Sequence, residues 1–211
     1  MLSYVGAYFY DKIMQATEDA CLIEWRKALL KQVNGKVLEI GAGTGASLNL
    51  YPSDQAFELF LSEPDQHMRS KLLDKLPSSP FPHSHVLSCH AEAIDSEDNY
   101  FDYVFVSLVC CSVSDVSQTL HEIKRVLKPS GKLLFLEHVA AQKGSPRRKW
   151  QNALNPIWKK IAGNCHLNRE TEQSIREAGF DIERIERESM RKAMPLVRPS
   201  IRGVAKVSES S

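Results

Sequence analysis

The sequence predicts an α/β fold in which a mostly parallel sheet of seven strands is flanked by helices. Three observations favour this class. Short runs rich in β-branched and aromatic residues alternate with helical patterns along the chain, and a glycine-rich turn directly follows the first run. The 211 residues contain no internal repeat and no long linker. We therefore expect one domain over residues 1–211.

The first half of the chain has the clearest alternation. Apolar residues spaced by three, four and seven predict a helix from about residue 8 to residue 33, which Asn34-Gly35 ends. Strands are then predicted at 36–40, 56–61, 85–88 and 101–107. Between them lie the glycine turn with a short helix, a helix around 66–76 and a proline-rich loop at 77–82.

The second half continues the alternation. A helix is predicted at 115–127, and Lys128-Pro-Ser-Gly131 is expected to end it as a turn. The remaining elements are a strand at 132–138, a helix at 169–178 and strands at 180–186 and 201–207. Two strands at the end of the chain extend a parallel sheet to seven strands.

Charge is balanced in total and unequal between the halves. The chain has 27 Lys and Arg against 26 Asp and Glu, which argues against a strongly basic nucleic-acid binder. Residues 1–105 carry 8 basic and 15 acidic residues, a net charge of −7, and residues 106–211 carry 19 and 11, a net charge of +8. We expect a cofactor side in the acidic half and an acceptor side in the basic half.

The five cysteines are few and irregularly spaced. Their number is odd and no signal peptide precedes them, so we expect reduced thiols and a cytoplasmic protein. Cys165 and His166 have no partner at a spacing typical of metal ligands, and we predict no metal site. No apolar run approaches the roughly 20 residues that span a bilayer.

The glycine-rich turn is Glu39-Ile-Gly-Ala-Gly-Thr-Gly-Ala46. Gly41, Gly43 and Ala46 fit the dinucleotide fingerprint, and Glu63 lies 20 residues beyond Gly43, where an acid would bind a ribose. The turn also fits in full the pattern acid-x-Gly-x-Gly-x-Gly of S-adenosylmethionine (SAM) sites. No Tyr-x-x-x-Lys pair for hydride transfer follows the fourth strand. The pattern therefore favours SAM over NAD.

Further motifs lie at the ends of the predicted strands. They are Ser62–Asp65, Ala91-Glu92, Ser107–Cys110 and Arg125–Gly131. With Leu38–Gly45 they resemble the class I SAM-dependent methyltransferases over nearly all of the chain. The resemblance implies a Rossmann-like seven-stranded sheet with SAM as cofactor. The cofactor residues it implies are Glu39, Gly41, Ala42, Gly43, Gly45, Glu63, Pro64, Ala91, Glu92 and Ser107.

A second set of motifs is narrower. Its members are Asn49–Pro52, Cys111–Val113, Leu136–Ala141, Asn155–Trp158, Asn164–Glu170 and Val197–Pro199. They resemble the membrane-associated alkyl-thiol methyltransferases of the methyltransferase-like group, which implies a lipophilic thiol as acceptor. That group begins with a hydrophobic anchor, which we do not expect in this chain.

Methyl transfer from a sulfonium makes modest demands on side chains. The acceptor must lie about 3 Å from the methyl carbon, in line and away from water. A thiol with a pKa near 8.5 is already partly ionised at neutral pH, and a base raises that fraction. His138 ends the fifth strand at the ligand-binding edge and is the predicted base, unless it only shapes the pocket. Tyr10, Cys111 and Trp158 are predicted to line the acceptor site.

Two segments are expected to cover the site. Residues 1–34 would form a lid helix over the cofactor. Residues 142–165 form a basic insertion near the acceptor site, with six basic residues and no acid between Lys143 and Lys160. Trp150, Leu154, Ile157 and Trp158 fit one helical face. That face would cover a lipophilic acceptor, touch an anionic membrane or pack on the domain.

The leading hypothesis is therefore a SAM-dependent methyltransferase acting on a small lipophilic nucleophile, most simply a thiol. The alternative acceptor is an amine, either free or in a phospholipid headgroup. A non-catalytic SAM-binding or membrane-adapter protein is a third reading. We expect a monomer that binds a small-molecule acceptor, touches membranes peripherally if at all, and binds no nucleic acid.

Overall fold

A seven-stranded sheet forms the centre of the computed structural model, which describes residue 12, residues 14–53 and residues 57–208. The strands are β1 (Gly35–Ile40), β2 (Phe57–Ser62), β3 (His85–Leu87), β4 (Phe101–Ser107), β5 (Leu127–His138), β6 (Phe180–Ser189) and β7 (Pro199–Val207). Their order across the sheet is β3-β2-β1-β4-β5-β7-β6. Strands β1 to β5 are parallel, and β7 runs antiparallel to both β5 and β6. The predicted mostly parallel α/β sheet is confirmed.

The helices begin with an irregular segment. Residues 14–17 are helical, a π-helical turn follows at Glu18–Leu22, and α1 continues over Ile23–Leu30. The others are α2 (Gln66–Lys75), α3 (Val116–Val126), α4 (Pro146–Ile161) and α5 (Thr171–Glu177). Within the part of the chain that the structure describes, no helix has both the length and the apolar character that crossing a membrane requires.

The core has two halves, one on each face of the sheet. Adjacent residues of a strand point to opposite faces. In β1, Val37 therefore packs in the cluster that contains Trp25 of α1, whereas Leu38 packs in the cluster that contains Leu120 of α3. A ligand site is expected at the carboxyl edge of the parallel strands, where open α/β sheets bind their ligands.

Two local predictions are wrong. Lys128–Gly131 is not a turn, because β5 already begins at Leu127 and its pairing with β4 shifts between Phe101 and Tyr103. Pro129 lacks an N–H, and a proline is tolerated in a strand where the ladder is irregular. The short helix after the glycine turn is a single 3₁₀ turn at Leu48–Leu50.

Candidate active site

The glycine turn after β1 has one packed side and one open side. Gly41, Gly43 and Gly45 have φ angles of +66°, +59° and +82°, which side chains rarely adopt. A Cβ atom on Gly41 would lie 2.6 Å from Cγ2 of Val109, in the loop after β4. A Cβ atom on Gly43 would meet nothing closer than a backbone oxygen at 4.0 Å. A ligand can therefore approach the backbone at Gly43.

Glu63, at the end of β2, is joined to this turn. Its carboxylate accepts the N–H of Gly43 at 2.8 Å and that of Asp65 at 2.9 Å. Arg69 donates to the carbonyl oxygens of Glu63 and Pro64 at 2.7 and 3.0 Å, which fixes the loop. Burial raises the pKa of Glu63, although the two N–H donors oppose that rise. A carboxylate offers about four acceptor positions. Two remain for the hydroxyls of a ribose, so the residues fit the predicted cofactor.

A buried polar network lies behind the turn. Tyr51 donates its hydroxyl hydrogen to Glu39 at 2.8 Å. Arg26 donates to the hydroxyl of Ser107 at 2.9 Å and to the carboxylate of Glu18 at 2.6 Å. Burial raises the pKa of Glu39, and the Tyr51 hydroxyl and the Arg26 charge are among the influences that lower it. These contacts tie α1 to the end of β4, and Tyr51 to the end of β1.

Arg26 was not predicted as a site residue. It lies on the segment that was predicted as a lid helix over the cofactor, and it is only 5% exposed. The one available signal was a charged residue beside Trp25 at the apolar face of that helix.

Ala91 and Glu92 follow β3 and form a rim on the same side of the sheet. Ala91 is buried. The Glu92 carboxylate accepts the N–H groups of Ser114 and Asp115 at 2.7 and 3.3 Å, just before α3. Glu92 therefore joins two loops in this structure, and its role beside an adenine ring stays a prediction.

The loop after β4 is held by one carboxylate. Glu137 is fully buried and accepts the N–H groups of Val109, Cys110 and Cys111 at 2.9, 3.0 and 3.4 Å. Burial raises the pKa of Glu137, which these N–H groups partly offset. Leu108 opens the loop with a φ angle of +59°. Glu137 thus fixes the backbone of the loop that carries Cys111.

Cys111, His138 and Cys165 meet at the carboxyl edge of β4 and β5. His138 Nε2 lies 2.9 Å from Cys165 Sγ, and the ligand atoms of the three residues all lie within 4.8 Å of one another. Cys111 and His138 are buried, at 2% and 4% exposure. Contact with Cys111 and burial raise the pKa of Cys165 well above its ordinary value. The sequence spacing gives Cys165 no partner for a metal site, but the fold brings Cys111 and His138 to it from other elements.

The basic insertion is a helix with its apolar face turned outward. Trp150 and Ile157 are 61% and 62% exposed, whereas Trp158 is half-buried. Gln151 anchors α4 by accepting the N–H of Ala141 at 2.7 Å and donating to the carbonyl of Leu196 at 2.8 Å. The exposure of Trp150 and Ile157 does not support the lid interpretation of that face.

The predicted site residues thus fall into groups. At the carboxyl edges of β1, β2 and β4 the structure brings together Glu39, Gly41, Ala42, Gly43, Gly45, Glu63, Pro64 and Ser107. Cys111 and His138 meet one strand further along, and Trp158 lies on α4. Tyr10 lies outside the described residues. The binding role of each residue stays a prediction.

Comparison of the sequence with known proteins gives consistent matches. Residues 38–135 match the family profile described as a methyltransferase domain. The human thiol S-methyltransferase TMT1B is 34% identical over 187 residues, which cover 83% of this chain and 73% of that protein. Human TMT1A is 30% identical over 80% of this chain and 69% of its own length. Rat TMT1B is 34% identical, but the match spans only 62% of its length.

Solved structures share the fold. A SAM-dependent methyltransferase from Thermotoga maritima superposes with a TM-score of 0.70 at 19% identity, covering 98% of this chain and 97% of that one. The [4+2]-cyclase SpnF superposes with a TM-score of 0.73, also at 19% identity, over 89% of this chain and 81% of its own. At these identities the likeness concerns the fold alone.

Proposed function

The chain belongs to the family of SAM-dependent methyltransferases that includes the thiol S-methyltransferases TMT1A and TMT1B, and we propose that it transfers a methyl group to the sulfur of a small lipophilic thiol. The observation that carries the proposal is the 34% identity to human thiol S-methyltransferase TMT1B over 83% of this chain. Beside it stands the close approach of Gly41 of the cofactor turn to Val109, two residues before Cys111. It supports an acceptor site that adjoins the cofactor turn.

The residues of the chain would act mainly by positioning. SAM supplies a methyl group that its sulfonium charge has already activated. Glu63 would anchor the ribose through its remaining acceptor positions, and Val109 would separate the turn from water with an apolar side chain. Holding the acceptor sulfur in line at about 3 Å then removes most of the entropic cost of the reaction.

His138 was predicted to take the proton of the acceptor. The contacts of its two ring nitrogens restrict how it could do so. Its Nε2 atom already contacts Cys165 at 2.9 Å. Its Nδ1 atom is buried and has no hydrogen-bond partner among the described residues. A base must reach the proton that it removes. His138 could therefore act as a base only through Nδ1, or after Cys165 has moved.

An acceptor screen tests the proposed function. The chain is incubated with SAM and with alkyl thiols, amines or phospholipid headgroups, and release of S-adenosylhomocysteine is measured against a blank without acceptor. We expect turnover with alkyl thiols. A thiol ionises near pH 8.5 and an alkylamine near pH 10.4, so an amine acceptor would give a rate that still rises well above pH 9. Turnover of amines but not of thiols would refute the proposal, and no release with any acceptor would favour a non-catalytic protein.

We also propose that α4 contacts anionic membrane surfaces. Trp150, Ile157 and Ile161 are 61%, 62% and 71% exposed. With 3.6 residues per turn they fall within about 40° of one another on the helix. The exposed basic residues Arg147 and Lys149 lie to either side of this face. A helix with this pattern rests at the level of the lipid headgroups.

Liposome sedimentation tests the membrane contact. Vesicles that contain phosphatidylserine should bind the chain at low salt and release it at high salt, and phosphatidylcholine vesicles should not bind it. The triple variant Trp150→Ser, Ile157→Ser, Ile161→Ser should lose binding. Leu73→Ser, which removes a 49% exposed leucine from α2, is the matched control. Equal binding by the control and the triple variant would refute the contact.

A further inference from the structure

The loops that carry Cys111 and Cys165 are joined by several hydrogen bonds. The N–H of His166 donates to the Cys111 carbonyl oxygen at 2.7 Å. The Asn164 side chain donates to the carbonyl oxygen of Ser112 at 2.8 Å, and Arg169 donates to that of Cys110. Asn164 itself has a φ angle of +65°. These hydrogen bonds hold the loop that carries Cys165 against the loop that carries Cys111.

The third member of the cluster is fixed by the sheet. His138 ends β5 and pairs with Ser200 of β7. Glu137, the residue before it, holds the Cys111 loop through three N–H groups. Two thiols and an imidazole are therefore preorganised, without any one of them being close to another in sequence.

We propose that Cys111, His138 and Cys165 bind a zinc ion, and that the sulfur of the acceptor thiol occupies its fourth coordination position. Two thiolates with one imidazole are a ligand set that zinc prefers, and three protein ligands with one open position are typical of a catalytic zinc site. The inference rests on the proposed function for the identity of the fourth ligand. The three protein ligands are inferred from the geometry alone.

The observed distances are close to those that zinc requires. Zn–S bonds of about 2.3 Å and Zn–N bonds of about 2.0 Å in a tetrahedron place two sulfurs about 3.8 Å apart, and a sulfur and a nitrogen about 3.5 Å apart. The three ligand atoms lie within 4.8 Å of one another, and the closest pair, His138 Nε2 and Cys165 Sγ, is 2.9 Å apart. In a zinc tetrahedron that pair would lie about 0.6 Å further apart.

A metal ion would also ionise the acceptor without a base. On binding zinc the acceptor thiol releases its proton to solvent, and the two cysteines are bound as thiolates. The acceptor sulfur then attacks the methyl carbon and forms a new C–S bond. The C–S bond of the sulfonium breaks, and its electron pair stays on the sulfur of S-adenosylhomocysteine. The neutral thioether product is a weaker ligand than a thiolate and can leave the ion.

Metal content and cobalt binding test the site directly. The full chain, purified without a metal-chelating column, should contain about one zinc ion per chain by mass spectrometry. Replacing zinc by Co²⁺ should give the intense thiolate-to-cobalt charge-transfer absorption. Cys111→Ser and Cys165→Ser should each lose the zinc, with folding checked by circular dichroism. Cys21→Ser, at a buried cysteine outside the cluster, is the matched control and should keep it.

The pH dependence separates this inference from the proposed function. A free thiol of pKa 8.5 is only about 3% ionised at pH 7, so removing the metal should slow thiol methylation by up to about 30-fold at pH 7 and hardly at all above pH 9.5. Added zinc should restore the rate. Thiol methylation by a chain that binds neither zinc nor cobalt would overturn the zinc site and leave the proposed function intact. Stoichiometric zinc without thiol methylation would support the zinc site and overturn the proposed function.

Two other results would also overturn the zinc site. If the purified chain binds no metal and its intact mass shows the loss of two hydrogens that a Cys111–Cys165 disulfide requires, the cluster is a redox pair. If His138→Asn keeps its metal but loses turnover mainly at acidic pH, the imidazole acts as a base instead.

Discussion

Replacing Glu63 by glutamine isolates the negative charge at the cofactor turn. The carboxylate accepts the N–H groups of Gly43 and Asp65 at 2.8 and 2.9 Å. A glutamine has one carbonyl oxygen in place of two, so one of these donors would face an NH₂ group. A half-buried donor without an acceptor costs about 1–3 kcal/mol of unfolding free energy. We therefore expect a less stable protein that still folds.

Glu63→Gln should also lower the affinity for SAM, separately from its effect on stability. A hydrogen bond to a charged group contributes about 1.5–3 kcal/mol, which corresponds to a weakening of SAM binding by roughly 10- to 150-fold. Because the ribose is common to SAM and S-adenosylhomocysteine, the affinities for both ligands should fall by the same factor. Isothermal titration calorimetry with the two ligands measures this directly.

Asp65→Asn provides the matched control. Asp65 lies two residues away, and its carboxylate caps α2 by accepting the N–H groups of His67 and Met68, both at 2.9 Å. Asparagine caps a helix about as well as aspartate does. The variant therefore removes a nearby charge and keeps the local structure, and SAM affinity should change less than about twofold. Equal losses in Glu63→Gln and Asp65→Asn, or no loss in Glu63→Gln, would refute the proposed ribose contact.

Two further predictions concern the buried network behind the turn, and urea unfolding followed by circular dichroism measures both. Tyr51→Phe removes one of the hydroxyl donors of Glu39, while Ser47 still donates to it, and should cost about 1–3 kcal/mol at neutral pH. Since burial raises the pKa of Glu39 in the folded state, this cost should shrink as acid protonates Glu39, and a pH-independent loss would contradict the prediction. Arg26→Met breaks a buried ion pair with Glu18 and should lower the free energy of unfolding by about 3–5 kcal/mol. Arg191→Met breaks an exposed ion pair and should lower it by less than about 1 kcal/mol. Similar losses in the two variants would contradict the prediction.

The predictable part of the fold is the part that local chemistry determines. The predicted strand 101–107 and the predicted helix 115–127 match β4 and α3 to within a residue at each end. Their β-branched and apolar spacing leaves one favourable arrangement. The strand from Leu127 could not be predicted, because the pairs on either side of Pro129, Phe101 with Leu127 and Tyr103 with Lys132, are made with β4, a distant segment. Tertiary pairing there overrides a local turn signal.

The same distinction separates the two halves of the site. The glycine turn and Glu63 are readable from sequence because one strand and the turn that follows it need those residue types. The sulfur cluster has no such local signature. Cys111 and Cys165 are separated from His138 by 27 residues on either side, and no motif spacing joins them. Only the parallel order of β4 and β5 places the loop after one strand beside the end of the other.

The loop after β4 is where these two halves are coupled. Val109 touches the cofactor turn at Gly41, and Cys111 belongs to the cluster, while Glu137 holds both residues through their N–H groups. Burial of that carboxylate costs free energy, which its three N–H donors offset only in part. A buried acid retained at such a cost is accounted for if the methyl donor and the acceptor sulfur must be held at a fixed distance. Most of the catalytic effect would then arise from backbone geometry that one carboxylate maintains, rather than from any group that reacts.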